Sequence, residues 1–125
     1  MKVLLSIKPE FVEKIFSGEK RFEYRKSIFK KSKITTVVVY STMPVGKIVG
    51  EFTFKKIHKD NPSVIWNKTQ KFSGISYEFY KTYFAGKNCS YAIEIETVKR
   101  YANPKDPKEL FPHFTPPQSF CYLKS

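Results

Sequence analysis

Apolar residues open the chain as a block of Val3, Leu4, Leu5 and Ile7, which predicts a short strand. From Pro9 the spacing becomes helical, with Phe11, Val12, Ile15 and Phe16 on one side. Pro9 suits the first helical position, and Gly18 suits the left-handed residue past the helix end. Beyond Gly18 the period falls to two: Arg21, Glu23 and Arg25 alternate with Phe22 and Tyr24. The pattern predicts a strand with an aromatic face and, opposite it, a basic, acidic, basic row, with Lys20 in the turn beside it.

Further along, Lys26 to Lys33 surround Ile28 and Phe29 without a period and read as an exposed connection. Ile34 to Ser41 is rich in β-branched residues, and Val37, Val38 and Val39 in a row predict a central strand covered on both faces. A turn around Pro44 and Gly46 leads to an alternating strand over Ile48–Ile57. Gly50 within it suggests a bulge, a close approach or a corner. Asp60 or Asn61 as cap and Pro62 after it predict a short helix between residues 60 and 71. Ser76 begins a second, with Tyr77, Tyr80 and Phe84 on one side and Gly86 at its end. Residues 89–98 alternate as Tyr91, Ile93 and Ile95 against Ala92, Glu94 and Glu96, which predicts another strand. The tail from Tyr101 is proline-rich, yet Phe111, Phe114, Phe120 and Tyr122 need partners, so it should wrap back over the body. Together these elements predict one α+β domain over residues 1–125: a small barrel or strongly bent sheet of about five or six mixed strands flanked by two or three helices.

Charge narrows the partners. Lysine and arginine number 23 against 11 acids, a net +12 that recruits polyanions and makes nucleic acid the leading partner. No basic helix with a wide apolar face is long enough to lie on a membrane, and Val3–Ile7 is too short for a span or signal core. With only two cysteines, Cys89 and Cys121, a reducing cytoplasm is the expected setting. These and the histidines, His58 and His113, lack metal-ligand spacing, so neither metal nor cofactor is expected; the histidines read as surface residues. The charged row admits two readings. A solvated strand face is the commoner fate, with Glu23 bridging Arg21 and Arg25. Facing a groove, the same row grips anions: arginine offers a fork to phosphate or a base edge, and Glu23 orients it. Trp66, the single tryptophan, suits either core packing or stacking on a base.

The segments LLSIKPEFVEKIFSGEKRFEYRK, VVVYSTMPVGKIVGEF, SYEFYKTYFAGKNCSYAIEI and PPQSFCYL, in that order, resemble the ASCH domain family of the PUA-like superfold. The strongest element is G-x-K-x-x-E-x-R, met by Gly18, Lys20, Glu23 and Arg25, with the turn from Tyr40 to Gly46 in support. The resemblance implies a PUA-like β-barrel with a cleft lined by that strand, and an RNA-binding role that in some members is described as regulatory. On this reading Lys20, Arg21 and Arg25 hold phosphate or base edges of RNA, or of a single nucleotide, and Glu23 orients them; DNA is a further possible ligand. Ser41 and Thr42 add hydroxyls from the far rim, and Gln118 and Ser119 close the site. The alternative is a hydrolase. One branch of the superfamily resembles an amidohydrolase of modified cytidine; Lys20 matches its lysine, while Glu23 stands where its threonine would be. There Glu23 would act as base toward water, Lys20 would stabilise an oxyanion, and Glu78 would be a further carboxylate. Other members have been viewed as ribonucleases, for which the sequence shows no histidine pair or acid cluster.

Overall fold

The computed structural model describes residues 1–117 and 120–123. Strand β1 (Lys2–Ile7) runs into helix α1 (Pro9–Ser17), which turns back as β2 (Phe22–Arg25). Then come β3 (Thr36–Ser41), β4 (Lys47–Asp60), α2 (Pro62–Thr69), a 3-10 turn at Gln70–Phe72 and α3 (Tyr77–Tyr83). These are followed by β5 (Ser90–Lys105), α4 (Pro107–Leu110) and β6 (Phe120–Leu123). None of the described helices is long and apolar enough to cross a membrane.

The six strands form one mixed sheet in the order β2-β5-β4-β3-β1-β6. Among the described residues, only β1 and β3 pair in parallel. The expected barrel is corrected here, because the sheet stays open. Its two edges, β2 and β6, are four residues each and do not pair with one another. Short edge strands are a common way to keep an open sheet from pairing further.

Burial explains why β3 lies inside the sheet with all six residues buried. Val37 and Val39 pack with Val12 and Ile15 of α1 and with Phe52 and Ile93, while Val38 and Tyr40 face the opposite layer with Leu4 and Ile48. The C-terminal segment covers that second layer as expected: Phe114 sits 5.1 Å from the Tyr40 ring, and β6 pairs with β1. A third cluster joins Tyr24, Ile65, Tyr80, Phe84 and Ala92, and so ties α2 and α3 to the β2–β5 end of the sheet.

Strand β5 is longer than the alternation predicts. Its register steps from Arg100 opposite Gly50 to Lys105 opposite Ile48, and Pro104 is accommodated in the bulge between them. Gly50 itself marks a close approach. An added Cβ would lie 2.5 Å from the Lys99 carbonyl oxygen and 2.5 Å from the Phe16 ring. The ring can turn, but the carbonyl belongs to the β4–β5 ladder. Gly50→Ala should therefore lower stability by about 1–3 kcal/mol, read as a lower urea midpoint at unchanged slope.

Candidate functional site

The α1–β2 corner places the charged residues. Gly18 adopts φ 87° and closes α1, and the next turn folds back far enough for the Lys20 N–H to donate to the Lys14 carbonyl at 2.9 Å. That turn aims the Lys20 side chain inward, where only 2% of the residue remains exposed. Its ammonium donates to the Ser73 carbonyl at 2.8 Å and lies 4.6 Å from the centre of the Tyr24 ring. Lys14 donates to the neighbouring Gly74 carbonyl at 3.2 Å, and the Arg21 N–H donates to the Phe72 carbonyl at 2.9 Å. Three consecutive carbonyls of the α2–α3 connection are thus held by one helix-strand corner. Gly74 has φ +67°, and a Cβ there would sit 2.4 Å from the Lys20 Cβ, so the loop rests directly on the lysine.

Glu23 and Arg25 are buried as well, 5% and 9% exposed, and pair at 3.2 Å. Arg25 also donates to the Ser6 carbonyl at 3.3 Å. Together with Lys20 they line a pocket of about 200 Å³ with Phe11, Tyr24, Phe79 and Tyr83 as aromatic walls and Lys8 at its border. That is below the size of a drug-like site and suited to one small planar group. Lys8 and Lys26 lie 5.0 Å from the Phe79 ring and 4.5 Å from the Tyr83 ring. One wall carries a group left without a partner: among the described residues, the Ser6 hydroxyl is the one buried side-chain oxygen or nitrogen with no hydrogen bond. A buried polar atom in that condition calls for a ligand or water.

Burial also shifts the acid–base behaviour. Loss of water pushes the Lys20 ammonium down to about 8; the Glu23 charge resists this and the Lys14 charge adds to it. Burial holds the Tyr24 phenol well above its ordinary value, against its hydrogen bond with Thr69. Tyr83 is likewise raised by burial, with the Arg25 charge opposing.

The structure brings together only part of the predicted set. Lys20, Glu23 and Arg25 meet in the pocket. Arg21 is exposed outside it, its guanidinium 4.7 Å from the Phe72 ring, so Glu23 bridges to Arg25 alone. Ser41 is buried beneath a different depression, beside Pro9 and Tyr101, and the Thr42 N–H donates to the Ile7 carbonyl at 3.1 Å. Gln118 and Ser119 lie outside the described residues. Glu78 is exposed on α3 and is not among the pocket's lining residues. His58, expected at the surface, is instead packed against Phe22 and hydrogen-bonded to Glu94 at 2.7 Å, because long β4 and β5 carry it beside the edge strand. His113 is exposed. Ser6, Phe79 and Tyr83 were not singled out as site residues by sequence reasoning; the helical spacing of Phe79 and Tyr83, four apart on α3, was the available signal.

The model of the ASCH domain family matches residues 5–99. The chain is 27% identical over 125 residues to an ASCH domain-containing ribonuclease of Zymomonas mobilis, covering 98% of this chain and 84% of that protein. It is 33% identical over 123 residues to the large ribosomal subunit protein uL22 of Ureaplasma parvum, where 98% of this chain spans only 39% of the relative's length. The crystal structure of ASCH from Zymomonas mobilis superposes with a TM-score of 0.91 at 26% identity, covering 98% of this chain and 87% of that one.

Proposed function

The chain belongs to the ASCH domain family, and on that footing we propose that its pocket takes up one nucleotide of a single-stranded RNA. The base lies against the wall that Phe79 and Tyr83 form together, and the phosphate or sugar meets Arg25 and Lys20. The observation that carries this reading is the pocket's composition: a buried cationic pair and a carboxylate, enclosed by aromatic rings, with the unpartnered Ser6 hydroxyl among them. A relative that is itself a ribonuclease supports RNA as the ligand class. The net +12 supplies the long-range attraction. Both cysteines are free thiols, in keeping with a cytoplasmic setting. A regulatory role would follow from occupancy of the RNA, and DNA would meet the same phosphate contacts without the 2′-hydroxyl.

The lowered proton affinity of Lys20 favours a second reading, in which the pocket also reacts. A lysine titrating near pH 8 can give or take a proton close to neutrality, and Glu23 beside it can take one from water or from a sugar hydroxyl. Hydrolysis of a modified nucleoside and cleavage of an RNA strand both fit such a pair.

Binding of short fluorescent single-stranded and duplex RNA and DNA across a salt series tests the first reading. Single-stranded RNA should bind best, with affinity falling steeply as salt rises. Lys20→Met should weaken it roughly ten- to hundredfold, the scale of one charged hydrogen bond. Binding that is indifferent to Lys20 would refute the pocket as the RNA site. Turnover of a small neutral nucleoside, insensitive to salt and lost in Lys20→Met, would move the function to the second reading.

A further inference from the structure

Helix α3 presents aromatic residues in two directions. Phe79 and Tyr83 line the Lys20 pocket, whereas Tyr77, Tyr80 and Phe84 face α2 and line a separate groove of about 680 Å³. Trp66 of α2 is the other wall of this groove, with its ring 5.4 Å from Tyr77 and 4.8 Å from Tyr80. The groove is preformed. Tyr80 donates its hydroxyl hydrogen to the Pro62 carbonyl at 2.7 Å and lies 3.2 Å from the Ser90 hydroxyl, which ties α3 to the start of α2 and to β5. Tyr77 is 48% exposed and Trp66 half-buried, so both keep ring surface open to a ligand. Lys81 and Lys87 stand exposed at its border, and Asn67 offers an amide donor and acceptor.

From this arrangement we propose that the Trp66–Tyr77 groove is a second base-stacking subsite, occupied by another nucleotide of the same RNA strand that enters the Lys20 pocket. Sequence-tolerant stacking on aromatic rings beside lysines that follow the backbone is the common mode of single-strand recognition. The strand would cross α3, with Tyr80 packed between the two sites and one base on either side of the helix. Lys81 and Lys87 meet the phosphates, and Asn67 reaches a base edge. This inference rests on the proposed RNA reading for its ligand.

Trp66 is the single tryptophan, so its emission reports occupancy of the groove directly. The experiment titrates the native chain with a nine-nucleotide oligoadenylate, following Trp66 emission and the anisotropy of a labelled strand in parallel. Quenching should share the midpoint of the binding curve. Tyr77→Ala, at an exposed position, should weaken binding about tenfold, and Lys81→Ala with Lys87→Ala should flatten the salt dependence. Binding that depends on Lys20 but leaves Trp66 emission unmoved, with Tyr77→Ala binding like the native chain, overturns the subsite and spares the pocket reading. Quenching that persists unchanged in Lys20→Met keeps the subsite and removes the pocket reading. No binding at all removes both.

Discussion

Lys20→Met should fold, and unlike the native chain its stability should not climb as pH rises from about 8. The folded Lys20 releases its proton near 8 and the unfolded one near 10.5. Between those values the unfolded chain holds more protons, so the native chain gains stability with rising pH and loses it as pH falls back through 8. Over the whole interval the gain is on the order of 3 kcal/mol. Below pH 8 the native chain carries the full cost of a buried ammonium, offset in part by the Ser73 carbonyl and by Glu23. Methionine fills a similar volume without that charge, and what it gives up is the attraction of Glu23 and the bond to the Ser73 carbonyl, about 1–3 kcal/mol for the latter. At neutral pH the variant should therefore match or exceed the native stability while binding RNA roughly ten- to hundredfold more weakly. Above pH 10 the buried Tyr24 works in the other direction, since its phenol ionises more readily in the unfolded chain, but it does so equally in both proteins. Urea midpoints of the two proteins at several values between pH 7 and 10 measure the difference. Parallel profiles would mean that Lys20 keeps its ordinary proton affinity, and the case for a reactive pocket would weaken with it.

Why Lys20 is buried shows where sequence reasoning stops. The turn that aims it inward is legible in Pro9, Gly18 and the change of period after it. The lid that seals it is not, because Ser73 and Gly74 are more than fifty positions away and belong to an irregular connection with no period. The same limit explains the charged row. Alternation places Glu23 and Arg25 on one side of β2, but whether that side meets water depends on α3, whose Phe79 and Tyr83 supply the opposite wall. Alternation also predicts strands without stating whether their ends meet, so an open six-stranded sheet and a barrel read alike along the chain. The centre of the sheet was the clearest part. Three valines in succession in β3 require apolar cover on both faces, and α1 and the C-terminal segment provide it.

Arg25→Met should cost more stability than its own contacts suggest, about 3–5 kcal/mol, because it leaves the Glu23 carboxylate buried without its partner at 3.2 Å. The Glu23 side chain is 7% exposed, too little for water to replace the guanidinium. Adding Glu23→Gln to Arg25→Met removes the stranded charge, and the double variant should recover most of the loss. A double-mutant cycle in urea therefore separates the cost of an orphaned carboxylate from the worth of the pair. RNA binding should follow a different course, lost in Arg25→Met and still lost in the double variant, because the fork that meets the phosphate is missing from both. Recovered stability without recovered binding would place Arg25 at the ligand and Glu23 in the role of holding it there. If the double variant stays as unstable as Arg25→Met, the arginine supports the fold through contacts other than the charged pair, the bond to the Ser6 carbonyl at the pocket wall among them.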